Sequence, residues 1–381
     1  MDSILIIAGE NSGEKYGADL TREFKKLHPS FTFYGIGGTD MAKEGVHILF
    51  PVEELAVVGF FEVLSHIPRI KKIFNRIVEE IKHQKPAAAV LIDSPDFNLR
   101  LAKKLKKSSI PILYYISPTV WVWRKRRLKT IKKSVSKMML IFPFEEKIYK
   151  EYGIPAAYIG HPLKEKVKIS FTREEFFKKY ELNPQKKLIA LLPGSRKSEL
   201  KYHMPALLES LHLIQSEWDV QFILLLAETL KSNFLLNFIP PLFKDLKILT
   251  RDHYEAIASS DLVLSSCGTA NLEAALLETP FIAFYRISPL TYFFGHKLAK
   301  IKNFSIVNIL AGKRVVPELI QKDYTAERIF EETTKILDSE KLRTEMKSEF
   351  KRIRNILGDK IAPQNAAREL EKLIILGKKP G

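Results

Sequence analysis

Only one cysteine, Cys267, stands in 381 residues. No intrachain disulfide can form, which fits a reducing compartment. Long apolar runs are missing too. A membrane span needs about 18 uninterrupted apolar residues, and the nearest run, Ile110 to Trp123, is broken by Pro111, Ser117, Pro118 and Thr119. The opening Met1-Asp2-Ser3 has neither the basic region nor the cleavage site of a signal peptide, so the expected location is the cytoplasm. There are no repeats, no low-complexity segments, and no zinc, RNA-recognition or helix-turn-helix signatures. Acidic residues are in deficit: 61 Lys+Arg against 44 Asp+Glu leave a charge of +17. Such a field favours polyanions, although a solvated Lys-rich surface accounts for it equally. With no nucleic-acid motif present, phosphorylated substrates or an anionic lipid surface are the expected partners, and nucleic acid is not.

What is present is alternation. Short β-rich runs and longer amphipathic stretches succeed one another, the pattern of a doubly wound α/β fold. Strands are predicted at 3–8, 32–36, 87–93, 112–117, 138–142 and 156–159, then at 188–192, 221–226, 247–250, 262–265 and 281–285. The predicted helices between them include 14–27, 62–82, 98–107, 199–218 and 270–278. This gives two Rossmann-like domains, 1–165 and 166–325, hinged near Lys164–Thr172, and a charged helical segment, 326–381. Two such domains are expected to face each other across a cleft, with ligands at the carboxyl ends of the strands. That geometry suits a reaction joining two substrates.

Several strand ends carry chemistry. The first runs into Gly9-Glu10-Asn11-Ser12-Gly13, with Gly17 following. These glycines permit a tight turn and close approach of a ligand to backbone N–H groups, and a purely structural turn explains them as well. The spacing is not G-x-G-x-x-G, which excludes a dinucleotide fingerprint. Glu10 and Ser12 fall where side chains enter a cleft. A second glycine turn, Gly35 to Gly38, faces the same way. Leu91-Ile92-Asp93-Ser94-Pro95-Asp96-Phe97-Asn98 ends an apolar strand with a poorly solvated carboxylate, a setting that suits Asp93 to base work. The bland alternative is an acid satisfied by loop amides, and Asp96 can instead cap the next helix. Trp121 and Trp123 beside Arg124–Arg127 read as a cleft wall with phosphate-binding cations. His161 has no second metal ligand at useful spacing, so it is a hinge or site histidine and no metal is expected.

In the second half, Pro193-Gly194-Ser195-Arg196 combines amides and a guanidinium suited to a diphosphate. Ser266-Cys267-Gly268-Thr269 leads into a helix whose N-terminus favours a phosphate. Glu273, one turn along, can accept from ribose hydroxyls. Asn308 offers a donor and an acceptor to a nucleotide-sugar, and a plain loop is the alternative. Cys267 reads as packing. An apolar cluster with a basic fringe, including Phe61, Val63, Leu64, Ile67 and Ile70, is either a core-facing helix or a patch on an anionic membrane.

Taken together, AGENSGEKYGADL, GIGGTDM, ELAVVGFFEVL, IDSPDFNL, YISPTVWVWR, FPFE, GHPL, LLPGSR, SSCGTANLEAAL, NILAG and VVPELIQ, in this order from residue 8 to 321, resemble the lipid-A-disaccharide synthases, inverting glycosyltransferases of the GT-B type. The departures are Asn11, Glu14, Ser94 and Val122, and none removes a candidate group. The resemblance implies transfer of 2,3-diacylglucosamine from its UDP derivative to the 6-hydroxyl of 2,3-diacylglucosamine 1-phosphate, giving a β(1→6) disaccharide 1-phosphate and UDP. It implies Asp93 as the essential aspartate and Arg196, Glu273 and Asn308 on the nucleotide side. The cluster Phe61, Val63, Leu64, Ile67 and Ile70 would face acyl chains and the cytoplasmic side of the inner membrane. It also implies a homodimer whose tail returns to the first domain or crosses to the partner. No cofactor is expected, because amides and Arg196 take the place of a metal. The rival expectation is a GT-B transferase or UDP-sugar epimerase acting on a non-acylated substrate.

Overall fold

Strand β1 (Ser3–Ala8) buries all six of its residues. Leu5 and Ile7 enter one hydrophobic cluster, and Ile4, Ile6 and Ala8 enter another. Successive side chains point to opposite faces, so both faces of this sheet are covered, the usual condition of parallel sheets. The computed structural model describes residues 2–55, 60–120, 126–227, 230, 234–235, 237–243, 246–288 and 302–377. The chain divides into two units, Met1–Pro162 with Leu357–Gly381, and Leu163–Ile356.

In the first unit β2 (Thr32–Gly37), β3 (Val46–Pro51), β4 (Ala88–Ile92), β5 (Ile112–Tyr115), β6 (Lys137–Leu140) and β7 (Ala156–Tyr158) join β1. The order is β3-β2-β1-β4-β5-β6-β7, every pairing parallel. Helix Phe60–Gln84 covers one face through Ile73, Ile77 and Ile81. The other face is closed by helix Asn11–Leu27 and by the tail helix Ala362–Gly377, which contributes Ala362, Ala366, Ala367, Leu370 and Ile374. Gly160 (φ 105°) makes this return feasible, since a Cβ there would lie 2.1 Å from the Lys360 carbonyl oxygen. The Tyr158 hydroxyl donates to the Leu357 carbonyl and Asn365 to that of Ile159.

In the second unit β8 (Lys187–Leu192), β9 (Val220–Leu225), β10 (Lys247–Leu249), β11 (Leu262–Ser266), β12 (Phe281–Tyr285) and β13 (Glu318–Ile320) form a parallel sheet ordered β10-β9-β8-β11-β12-β13. Helices Ala326–Asp338 and Glu340–Ile356 belong to this unit. Two strands and four short helices, Thr39–Lys43, Leu163–Lys166, Arg173–Lys179 and Ile306–Ala311, go beyond the sequence expectation. Both strands, β3 and β13, are edge strands with half-exposed residues, where periodicity is weakest. Helix Arg173–Lys179, just past the polar stretch expected to be the hinge, carries a Thr172–Glu175 capping box. Ile306–Ala311 is helix rather than loop. Among the described residues no helix is long and apolar enough to cross a membrane.

Candidate active site

Each sheet reverses its strand order once: between β1 and β4 in the first unit, and between β8 and β11 in the second. In doubly wound sheets ligands bind beyond the carboxyl ends of the strands at such a point. Glu10 and Ser12 follow β1, and Asp93 follows β4. Gly194–Arg196 follow β8, and Gly268 and Thr269 follow β11. These residues therefore gather at the switch point of their own unit.

Asp93 and Ser94 are consecutive left-handed residues, φ 51° and 41°. Such conformations cost non-glycine residues about 1–3 kcal/mol each and persist only where the surroundings impose them. Here they do. The Asp93 N–H donates to the Tyr115 carbonyl at 3.1 Å. The Asp93 carbonyl accepts from Asn98 Nδ2 at 2.8 Å and from the Tyr114 hydroxyl at 2.6 Å. Asn98 also donates to the Ile92 carbonyl at 3.1 Å. Burial first, then the Asp93 charge, holds the Tyr114 phenol well above its ordinary value, so it remains a donor. Asn98 and Tyr114 were not singled out from sequence; the one available signal was an asparagine set between Phe97 and Leu99 in the first turns of the helix.

The glycines of this unit are tightly packed against their neighbours. A Cβ on Gly9 would lie 2.0 Å from the Ser94 Cβ, one on Gly13 3.2 Å from Ile92 Cγ2, and one on Gly17 2.9 Å from Met41 Sδ. At Gly35 (φ 151°) it would lie 1.9 Å from the Ile6 carbonyl oxygen. Glu14, buried, accepts from the Met41 N–H at 2.8 Å beside Gly38. Asp96 does not cap: helix Pro95–Lys107 starts after Ser94, and Asp96 lies in its first turn, paired with Arg127 at 2.8 Å.

His161 follows β7, at the far edge of the sheet from the switch point and beside the boundary between the units at Pro162–Leu163; it is 3% exposed and packs on Phe142 with ring centroids 5.0 Å apart. Burial pushes its pKa down to about 3, so it is a neutral core histidine. Trp121 lies outside the described residues, as do the side chains of Phe61, Val63 and Leu64. Of the remaining apolar candidates Ile67 is 49% exposed, whereas Ile70 packs against the core.

In the second unit the two expected phosphate turns differ. At the first, the Ser195 N–H already donates to Glu199 Oε2 at 2.8 Å, and Gly194 (φ 130°) leaves room for that carboxylate, 2.5 Å from where a Cβ would stand. Arg196 lies 3.6 Å from the same carboxylate. Glu199, which the sequence reading passed over, thus occupies the N-terminus of helix Lys197–Glu217. At the second turn Gly268 is extended and exposed, and a Cβ there would meet nothing within 4 Å. Neither φ nor chain packing requires this glycine. Thr269 is exposed and Glu273 half-buried on the helix Thr269–Leu276 that follows. The Cys267 thiol is pushed well up from its ordinary value, by desolvation first and by Glu318 second, and stays neutral.

Behind these turns lies a set of bonds that spacing did not reveal. His203, fully buried, donates from Nδ1 to the Pro193 carbonyl at 2.6 Å and accepts at Nε2 from the Arg286 N–H at 3.0 Å. A carbonyl can only accept and an N–H can only donate, so the tautomer is determined, and burial keeps the ring neutral. Asn308 has no hydrogen-bonding capacity left for a ligand. Its Oδ1 accepts from Val315 N–H (2.7 Å) and Val316 N–H (3.0 Å), and its Nδ2 donates to the Val316 carbonyl (3.0 Å) and Glu318 Oε1 (2.8 Å). Glu318 in turn accepts from the N–H groups of Phe304 and Ser305, both at 2.9 Å. The expected nucleotide contact at Asn308 is replaced by a chain-to-chain one.

A family profile described as lipid-A-disaccharide synthetase matches residues 4–369. The chain belongs to this family. A lipid-A-disaccharide synthase from Nitrosococcus oceani is 39% identical over 379 residues, covering 99% of this chain and 97% of that one. Two solved structures share the fold. The calicheamicin glycosyltransferase CalG4 matches with a TM-score of 0.63 at 11% identity, covering 100% of each chain. A UDP-GlcNAc 2-epimerase from Neisseria meningitidis, bound to UDP-GlcNAc, matches with a TM-score of 0.62 at 12% identity, covering 98% of this chain and 100% of that one. The paired doubly wound units are those of the GT-B fold, which transferases and epimerases share; sequence decides the family, and the family makes the chain a glycosyltransferase.

Proposed function

We propose that the chain transfers 2,3-diacylglucosamine from its UDP derivative to the 6-hydroxyl of 2,3-diacylglucosamine 1-phosphate, inverting the anomeric centre and releasing UDP. The assignment of roles rests on one observation: in both sheets the candidate groups stand at the reversal of strand order. Inversion needs a single displacement, in which a base takes the acceptor proton as the hydroxyl attacks. Asp93 is that base. Its backbone is locked on both sides, so its carboxylate is aimed before substrate arrives. The diphosphate sits on the open Gly268–Thr269 turn, where the helix N-terminus and Arg196 meet the charge that develops on UDP; Glu273 accepts from the ribose. Glu10 and Ser12, beside Asp93 across β1 and β4, contact the acceptor.

The direct test supplies both acylated substrates and detects the disaccharide by mass. Asp93→Asn is expected to lower turnover by about 10²–10⁴ with an unchanged melting temperature; a folded variant with wild-type turnover refutes the base assignment. Sugar release or isomerisation without an acceptor refutes the transfer itself. No metal is required on this reading, so exhaustive chelation should leave turnover intact. Exposed Ile67, with Lys71, Lys72 and Arg76 lining a cavity of about 600 Å³ nearby, contacts the anionic cytoplasmic face of the inner membrane, which sedimentation with anionic vesicles checks. The homodimer is checked by mass in solution.

A further inference from the structure

We infer that Arg286 is a second guanidinium of the diphosphate site, set in position by His203; this rests on reading the second unit as the UDP-binding one. Arg286 is the first residue past β12, and β12 lies beside β11 in the order β8-β11-β12. Arg196 follows β8 and Arg286 follows β12, so the two flank the Gly268–Thr269 turn that follows β11. Neighbouring strands are about 4.8 Å apart, so the two arginines arise roughly 10 Å apart. Both side chains can reach a diphosphate seated between them.

A second cation would add to what the helix N-terminus and Arg196 supply. Arg196 shares its position with Glu199 at 3.6 Å, and the pair sums to zero, which leaves it poorly suited to neutralise a diphosphate alone. Among the described residues no carboxylate pairs with the half-exposed Arg286 guanidinium. Its positive charge is felt at the buried His203 and Tyr324 side chains. A half-exposed guanidinium beside these strand ends is accessible to an anionic ligand through charge-assisted hydrogen bonds.

His203 supplies the placement. It grips the Pro193 carbonyl at the base of the Arg196 turn and the backbone N–H of Arg286 itself, 2.6 and 3.0 Å away. The spacing of the two arginine-bearing strand ends is thereby held by one rigid ring. The ring is locked in turn: the Tyr324 hydroxyl donates to the His203 carbonyl at 2.8 Å, and Phe284 meets the imidazole edge-on at 5.2 Å. His203 is a positioning residue, because it is fully buried and both its ring nitrogens are bonded to the chain's own backbone.

The test uses the purified full-length chain and titrates it with UDP and with uridine by calorimetry. Arg286→Gln keeps the backbone bond to His203. It is expected to weaken UDP about tenfold or more, the worth of a charge-assisted hydrogen bond, while uridine binding and melting temperature stay as in wild type. His203→Phe should weaken UDP without a matching loss for uridine, and His203→Gln, which restores one donor and one acceptor, should recover part of the loss. Wild-type UDP affinity in Arg286→Gln overturns the inference, and so does an equal loss of UDP and uridine. If His203→Phe does not fold, Arg286→Gln decides alone. A wild-type chain that binds neither ligand refutes instead the reading of this unit as the UDP-binding one.

Discussion

Replacing Gly9 by alanine should disable the enzyme by displacing the Asp93 turn. The added Cβ would stand 2.0 Å from the Cβ of Ser94 and 3.2 Å from its Cα. Non-bonded carbons settle at about 3.5 Å or beyond, so one turn must withdraw by about 1.5 Å. β1 is paired on both sides, to β2 and β4, so the Ser94 turn yields, and Asp93, bonded directly to it, moves with it. A displacement of about 1 Å at a reacting group costs roughly 10² in rate, and overpacking of this kind destabilises by about 1–3 kcal/mol. The expected result is a fall of about 100-fold in kcat, with the KM for the UDP-sugar nearly unchanged. Ser94→Gly removes the opposing Cβ at a residue whose φ of 41° glycine prefers, so Gly9→Ala with Ser94→Gly should regain most of the activity. Ser94→Ala keeps the Cβ and should rescue nothing. Product formation and thermal melting of the four variants complete the cycle. Full activity in Gly9→Ala, or equal rescue by alanine and glycine at 94, would refute the argument that this glycine exists to admit the Asp93 turn.

Two further outcomes follow from groups that the proposed chemistry does not use. Glu145 is fully buried, accepts from the Phe142 N–H at 3.1 Å, and is pushed up by desolvation to about 8. Between the ordinary carboxylate value and about 8 the unfolded chain is ionised here while the folded one stays protonated. Stability should therefore fall as pH rises through that window, by on the order of 1.4 kcal/mol per unit, and level off above it. Glu145→Gln keeps a neutral acceptor and should flatten that slope in denaturant titrations at pH values spanning the window; identical slopes in both proteins would sink the idea. Asn308→Ala strands the Val316 N–H and carbonyl, both buried, and the half-buried Val315 N–H, at about 1–3 kcal/mol for each buried group. A loss of several kcal/mol in urea unfolding is expected, and a stable variant with only a raised KM for the UDP-sugar would mean that Asn308 contacts nucleotide after all.

The sequence by itself determined the alternation of strands and helices, the division into two doubly wound halves, and the short stretches in which chemistry resides. Both sheets announce themselves because a strand buried on both faces, such as Leu188–Leu192 or Ala88–Ile92, must be apolar throughout. The edge strands Val46–Pro51 and Glu318–Ile320 lack that constraint and passed unnoticed. Tertiary structure alone decided what each of the singled-out residues touches. A glycine at position 9 records that a Cβ is intolerable, but only the fold says that Ser94 rather than a ligand excludes it. Hydrogen-bonding capacity is likewise spent on partners far away in sequence: Asn308 on the 315–318 segment, Ser195 on Glu199, and His203 on Pro193 and Arg286. Spacing along the chain identifies groups able to bind, whereas only three-dimensional packing reveals which of them remain available.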